Sequence, residues 1–464
     1  MKKVLGSTLA LAVLLWAMTV PWQDPVMNVW WWRNQILLLT GLGAWALMSL
    51  IMVLSLRPVW LERPLGGMDK IYRLHKWAGI GAIVLSLLHY GTQLSKDLLI
   101  ALVGRPVRGP RADWWLNTFR HLAEDMGEWA VWFLAAMLVI TLWQRFPYHV
   151  WRYLHKLLAV VYLVLAFHAV VLTPPAWWQQ PAGVLVGLCT LVGVLCAVRS
   201  LAGAIGRSRR HAARVVSVSP QGAGVLEVTC QVSPASRWKH AAGQFAFVTF
   251  GRAEGAHPFT LLNADQGNGV LRFAIKALGD HTGQLPLQVQ PGQTVSIEGP
   301  YGCFDFRSDS ATEQVWVAAG IGATPFMAWL ESMQSTPALA PRVHLHYCVR
   351  HAGEAVFAER GETGVDAVHG RRLRCGGCGR RVRRHLLRRR AVGKGPAPDE
   401  HLVHHEASGV NIHAIVGVDI GCDLLRRHIG RRRHGDQHHH ARRQRADDEG
   451  RGDGFRRQRL ELLA

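Results

Sequence analysis

The sequence predicts a multidomain membrane protein: a six-helix transmembrane bundle, then an antiparallel β-barrel domain, then a truncated α/β domain and a disordered tail. Three observations carry that reading. Six apolar stretches, near residues 4–20, 35–56, 73–94, 127–145, 150–172 and 182–205, are each long enough to cross a hydrocarbon core, which is about 30 Å thick. After residue 211 the hydrophobic period changes to two. From about residue 360 the chain turns rich in Arg, Gly and His and loses any sustained period.

Composition agrees with such a mosaic. Of the 464 residues 49% are hydrophobic, yet the formal net charge is +21. A single soluble globule does not combine the two, whereas membrane spans joined to basic soluble segments do. The positive charge does not by itself imply nucleic acid, because cytoplasmic loops of membrane proteins collect Lys and Arg. The eight cysteines are scattered. Cys375 and Cys378 form one CxxC with no second pair, so neither a disulfide framework nor an iron–sulfur cluster is indicated.

The first stretch follows Lys2 and Lys3 and lacks a small-residue cleavage pattern, so it reads as a retained span and not as a signal peptide. Orientation follows from the loops. Arg57, Arg63 and Lys70, then Arg145 and Arg152, then Arg207, Arg209 and Arg210 lie on one side. By the positive-inside rule that side is cytoplasmic, together with the N-terminus. Clusters at Trp30–Trp32, Trp114–Trp115 and Trp177–Trp178 suit interfacial anchors. The expectation is a multi-pass protein of a bacterial-type inner or plasma membrane, with the lipid bilayer as its first partner.

Beyond the spans, Arg214–Val218, Val225–Cys230, Gln244–Phe250 and Val295–Ile297 alternate and are punctuated by Gly and Pro, as short strands are. From Gln314 a β run, a glycine turn, a helix over 326–334 and a second β run at Val343 open a nucleotide-binding α/β unit. The domain boundaries follow: 1–205 in the membrane, 211–305 as the barrel, 312–360 as the partial α/β domain, and 361–464 as the basic tail.

Four histidines carry the chemistry. His75 and His89 lie on the third span, His155 and His168 on the fifth. At 1.5 Å per residue, separations of 14 and 13 residues place the imidazoles of each span roughly 20 Å apart. The two spans run in the same direction, so His75 comes level with His155 and His89 with His168. Two facing histidines at one depth supply both axial ligands of a haem iron, and the second pair repeats the site near the other leaflet. A lone buried histidine is as readily satisfied by neighbouring polar groups. Four, paired on two spans, are a far more specific signal, because ionisable groups inside a membrane are rare and usually functional. Gly79 and Gly81 would let a porphyrin approach the backbone. Iron held by two histidines has no open position, which favours electron transfer over oxygen binding. His121 and His149 read as surface residues.

Downstream, His257-Pro258-Phe259-Thr260 follows a strand. Phe273-Ala-Ile-Lys276-Ala-Leu-Gly279-Asp-His-Thr282-Gly283, Gly299-Pro300-Tyr301-Gly302 and Ala319-Gly320-Ile-Gly322-Ala-Thr324-Pro325-Phe326 come after it in order. With these motifs, residues from about 35 to 350 resemble the ferric reductase and NADPH oxidase superfamily: a six-span di-haem domain joined to a ferredoxin-reductase-type FAD and NAD(P) module. By that resemblance Phe259 lies against the isoalloxazine ring and Thr260 hydrogen-bonds near its reactive nitrogen, with His257 and Pro258 completing the motif. Lys276, Gly279, Thr282 and Gly283 would meet the pyrophosphate, and Gly299, Tyr301 and Gly302 would close the flavin site. Gly320, Gly322, Thr324 and Pro325 would place backbone amides and a helix N-terminus at the dinucleotide phosphates. Arg350 faces either a ribose phosphate, which would favour NADPH over NADH, or solvent.

The resemblance implies cofactors and a route: NAD(P)H, FAD, an inner haem b on His75 and His155, an outer haem b on His89 and His168, and an external small-molecule acceptor. That acceptor is a ferric chelate or oxygen, and the sequence does not choose between them. A different class of reading is a haem-bearing membrane subunit that exchanges electrons with a redox partner protein, its own nucleotide site vestigial. No nucleic acid partner is expected.

The resemblance stops abruptly after Glu354-Ala-Val-Phe-Ala-Glu-Arg360. The Cys-Gly-Pro strand end that closes over the nicotinamide in the superfamily has no counterpart here, and the chain ends Glu461-Leu-Leu-Ala. An aperiodic Arg/Gly/His tail is what a GC-rich coding sequence yields when read out of frame, so residues from about 351–362 onward are expected to be a frameshifted translation. The rival is a genuine basic, disordered tail that binds anionic lipid or nucleic acid. Sequencing the nucleotides of codons 350–362 is expected to reveal an alternative frame encoding Cys-Gly-Pro; an uninterrupted single frame overturns the expectation.

Overall fold

In the computed structural model the described residues are 2–22, 28–106, 114–143, 145–251, 255–308, 313–335, 341–349 and 352–358, together with short strands at 373–374, 381–382, 385–388 and 410–415. The membrane part comprises α1 (Lys2–Thr19), α2 (Val29–Ser55), the short α3 (Val59–Leu65), α4 (Met68–Val103), α5 (Arg120–Leu142), α6 (Tyr148–Leu172) and α7 (Pro181–Leu201). Asn28 caps α2, its side-chain oxygen accepting from the Trp30 and Trp31 amides, which satisfies donors that the first helical turn leaves open.

Among the described residues five helices are long and apolar enough to cross a membrane, one fewer than the six stretches read from the sequence. The missing one falls on α4, a 36-residue helix whose apolar run is broken by His75, Lys76, His89 and Gln93. The same histidines that make α4 chemically interesting lower its apolar signal. This helix nevertheless packs along α2, inside the bundle.

Small residues let the helices approach closely, as they do where lipid offers no hydrophobic drive for association. Ala12 and Trp16 of α1 with Val20 just beyond it, Leu42, Trp45 and Ala46 of α2, Ala159, Tyr162 and Ala166 of α6, and Ala182, Val186 and Ala197 of α7 share one core. Tyr162 stacks on Trp45 with centroids 4.6 Å apart. Its hydroxyl lies 2.7 Å from Ser49 Oγ and donates to the Cys189 carbonyl at 2.9 Å. Gly193 makes room for that phenol, since a Cβ there would overlap it.

The soluble part begins with a six-stranded, wholly antiparallel sheet in the order β4-β3-β6-β1-β2-β5. Its strands are β1 (Arg210–Gly222), β2 (Val225–Val232), β3 (Phe245–Thr249), β4 (His257–Thr260), β5 (Val270–Lys276) and β6 (Thr294–Tyr301), with helix α8 (Asp280–Gln288) between the last two. A bridge between Leu261 and Phe273 brings the two edges together, around a core of Val215, Val228, Val248, Phe273 and Ile297. The strands alternate, but not cleanly: β2 is buried along most of both faces.

Next come the parallel strands β7 (Glu313–Ala319) and β8 (Arg342–Cys348), joined through α9 (Thr324–Ser335). Trp316, Phe326 and Trp329 are fully buried at their centre, where aromatic burial contributes about 2–3 kcal/mol per side chain. The Trp329 indole donates to the Ala242 carbonyl at 3.0 Å, and Arg272 pairs with Glu331 at 2.7 Å, so the two soluble units are tied together. Two short strands, His385–Arg388 and Val410–Ile415, extend this sheet at its two edges, antiparallel to β8 and parallel to β7. Cys375, Cys378 and Arg350 lie outside the described residues.

Candidate functional site: two histidine layers and a flavin module

The ring centroids of His75 and His155 are 6.2 Å apart, and those of His89 and His168 are 6.3 Å apart. Both pairs connect α4 to α6 in the same chain order, so the two helices run in one direction. Metal–imidazole bonds of about 2 Å, with each centroid about 1 Å further out, set trans imidazoles roughly 6 Å apart. The spacing in both layers suits a single metal ion between the rings. Among the described residues no group of three or more His, Cys, Asp or Glu could hold a metal.

The backbone fixes which nitrogen faces inward. His89 Nδ1 lies 2.9 Å from the Leu37 carbonyl and His168 Nδ1 lies 2.7 Å from the Ala123 carbonyl. A carbonyl only accepts, so each Nδ1 carries the proton and each Nε2 keeps its lone pair for a metal. The His75 ring bonds to the Ile51 backbone, while His155 is stacked on Trp151, centroids 4.7 Å apart. Two glycines clear the space. A Cβ at Gly41 would sit 3.0 Å from His89 Nδ1, and one at Gly127 would overlap the His168 ring. A cavity of about 590 Å³ opens beside His89 and His168, lined also by Trp45, Leu134, Leu165 and Trp177. Of the glycines expected to admit a porphyrin, Gly79 faces open space, whereas Gly81 faces Leu47 of α2 at 3.0 Å.

In the soluble part β4 is the tetrapeptide His257–Thr260, paired along its length with β3. Phe259 and Thr260 are half-buried and Pro258 is exposed, so the strand presents an accessible apolar edge; Phe259 is backed by Phe250 at 6.1 Å. His257 stacks on His281 of α8 with centroids 4.2 Å apart, and burial, then the charge of Arg152, holds its pKa below the ordinary value. Thr282 Oγ1 accepts from the Leu278 and Gly279 amides at 2.9 and 3.2 Å, closing the first turn of α8.

Two side chains assigned to the flavin site by the resemblance have partners in distant segments. Lys276 is ion-paired with Glu354 at 3.2 Å, both largely buried, so its charge is engaged across the α/β unit and not at the 279–283 turn. Tyr301 is 1% exposed and packs against the membrane helices. Its hydroxyl donates to Glu298 at 2.9 Å, and burial raises its pKa. In the nucleotide motif, Gly320 adopts φ 52°, Gly322 completes the turn, and Thr324 and Pro325 are buried at the start of α9. The Thr324 hydroxyl donates to the Ile321 carbonyl at 2.7 Å.

Sequence patterns missed the junction between the two parts. Leu54, Met68, Ile71 and Leu74 of the membrane helices share a core with Phe247 and Tyr301 of the sheet. Around it, Arg57 pairs with Glu298 at 3.0 Å and lies 4.0 Å from the Phe247 centroid. Arg210 takes the other Glu298 oxygen at 3.1 Å. Arg57 adopts φ 54°, a conformation disfavoured for a side chain of its size, and the paired Glu298 holds it there. Gly302, at φ 108°, donates its amide to Glu62 Oε1 at 2.6 Å. The only sequence signal for any of this was an acid, Glu298, in an apolar strand, since a buried carboxylate requires partners.

An integral membrane helical domain is thus bolted to an antiparallel flavin-type domain. Residues 40–166 match the family described as ferric reductase like transmembrane component, and residues 210–304 match an FAD-binding domain. These matches support the ferric reductase and NADPH oxidase superfamily. It is 28% identical over 211 residues to respiratory burst oxidase homolog protein E of Arabidopsis thaliana, covering 39% of this chain and 21% of that protein. It is 25% identical over 231 residues to a superoxide-generating NADPH oxidase heavy chain of Dictyostelium discoideum, covering 43% and 41%. Ferric reduction oxidase 8, mitochondrial, of Arabidopsis thaliana aligns over 340 residues at 24% identity, 67% of this chain and 42% of that one. The chain thus spans between about a fifth and two fifths of the relatives it matches.

Two outcomes follow from the geometry. If each histidine layer holds one haem, Gly127→Leu is expected to displace His168 and cut bound haem per chain by about half, read from a pyridine haemochrome assay, with the His75 layer unaffected. At the junction, burial raises the Glu62 pKa against the opposing Gly302 hydrogen bond. The folded state then binds this proton more tightly than the unfolded chain, so the contribution is present at low pH and lost as pH rises through the raised value. Glu62→Gln, permanently neutral and still able to accept from Gly302, is expected to melt above the wild type at pH 8. That advantage should shrink toward pH 4; equal melting temperatures throughout would refute the assignment.

Proposed function

We propose that the chain is a transmembrane electron-transfer oxidoreductase, taking electrons from NAD(P)H through FAD and two b-type haems to an acceptor across the membrane, a ferric chelate or oxygen. The observation that carries this reading is the pair of histidine layers, with centroids 6.2 and 6.3 Å apart, between α6 and α4, the latter sharing a core with the FAD-binding domain. Bound FAD accepts two electrons together and gives them up singly, as bis-histidine haem iron requires. The protein's share is placement. His75 with His155 would hold the inner haem, and His89 with His168 the outer one. The Leu37 and Ala123 carbonyls orient the outer imidazoles, and the Glu298 and Glu62 contacts seat the flavin domain at the cytoplasmic end of α2 and α4. Phe259 and Thr260 would offer the flavin an apolar wall and a hydroxyl donor. Gly320 and Gly322, at the head of α9, would face the nucleotide phosphates. On this reading the N-terminus and the flavin domain are cytoplasmic, and the membrane is a bacterial-type inner membrane.

A dithionite-reduced minus oxidised spectrum of the purified protein in detergent tests it, with haem quantified per chain. About two haems with a split or broad α-band are expected, followed under anaerobiosis by haem reduction with NADPH. Absence of Soret absorbance sinks the proposal. Haem reduced by NADPH only when a second protein is added would move the reading to a membrane subunit served by a partner. Assays for superoxide and ferrous iron then choose the acceptor.

A further inference from the structure

The flavin module has a positive side chain in its reach that no soluble motif supplies. Arg152 lies in the first turns of α6, three residues before His155. Its guanidinium packs against Gly255 so closely that a Cβ there would overlap Nη1, and it lies near enough to His257 to influence that ring's charge. His257 in turn stacks on His281, in the first turn of α8. The Arg152 Nε is buried and has no hydrogen-bond partner among the described residues. A buried guanidinium N–H without an acceptor is costly, and the usual resolution is an anion. Lys276, the cation that the superfamily resemblance assigns to the pyrophosphate, already has Glu354 as its partner.

We propose that Arg152 is a ligand of the FAD diphosphate, contributed by the membrane domain, so that the flavin site is completed only when the two parts are docked. The inference rests on the FAD reading of residues 210–304. Arg152, His257 and the head of α8 form a three-sided anion-binding seat drawn from α6, β4 and α8. Binding the flavin thereby pulls the soluble domain toward the turn that carries His155. Arg here is preferable to Lys, because a planar fork can engage two phosphate oxygens at once.

The test uses the full-length protein in detergent, stripped of flavin and titrated with FAD and with riboflavin, which lacks phosphate, by fluorescence quenching. Arg152→Ala is expected to weaken FAD binding about ten- to a hundredfold and leave riboflavin affinity unchanged, with Arg152→Lys recovering part of the loss. Equal losses for FAD and riboflavin would overturn the proposal by showing that Arg152 only supports the fold of the seat. Unchanged FAD affinity with altered haem content or Soret position would also overturn it, placing a haem carboxylate on the guanidinium instead. Wild-type protein that takes up no FAD would defeat the FAD reading itself, an outcome separate from either.

Discussion

Everything in the membrane part depends on one requirement: a polar ring inside hydrocarbon must satisfy its N–H locally. A helix interior offers few free acceptors, since its carbonyls are engaged along the ladder. The second lone pair of a carbonyl remains, and His89 and His168 use it, on Leu37 of α2 and Ala123 of α5. That choice fixes the tautomer, and with it the direction in which each Nε2 lone pair projects. The glycines then follow. Gly41 and Gly127 let the rings reach those carbonyls, so their value is steric clearance at the helix surface and not backbone freedom.

The sequence read this arrangement well in one dimension and poorly in two. Depth was legible: 14 and 13 residues convert directly into two layers, and the observed pairs are the ones that depth demands. Azimuth was not. On an ideal helix 13 residues leave His155 and His168 about 140° apart, yet both meet partners on α4. Neighbouring helices hold the rings: His89 anchors on α2 and His168 on α5, while the inner pair is braced by Ile51 and by the Trp151 stack. Which neighbouring helix offers a carbonyl and a glycine is a tertiary fact that no periodicity encodes.

The soluble part shows the same division. Period-two alternation located β1, β2, β3 and β6, and the glycine turn located the start of α9, because those signals are local. The roles given to Lys276 and Tyr301 came from motif likeness, and both side chains have partners from distant segments: Glu354 for one, the membrane helices for the other. A motif records which residues recur near a ligand; it does not record which of them also carries the architecture. Tyr301 carries it here, since it touches Glu298, Phe245 and Phe247 at once.

That dual use explains why the junction is built from charges as well as apolar surface. An apolar seam alone, Leu54, Met68, Ile71 and Leu74 against Phe247 and Tyr301, would bind the two parts but would tolerate sliding, since dispersion and hydrophobic contact are weakly directional. Electron transfer between domains does not tolerate sliding. Glu298, 3% exposed, demands Arg57, Arg210 and the Tyr301 hydroxyl in fixed directions, and Glu62 demands the Gly302 amide. Loss of register at any of these leaves a buried carboxylate without its partners, which costs more than the contact contributes. The charges therefore act as a register pin, and the pinned strand β6 sits beside β3, whose other neighbour is the His257–Thr260 strand. Position is transmitted over two strand spacings, roughly 10 Å, from the ends of the membrane helices to the edge that would meet the flavin.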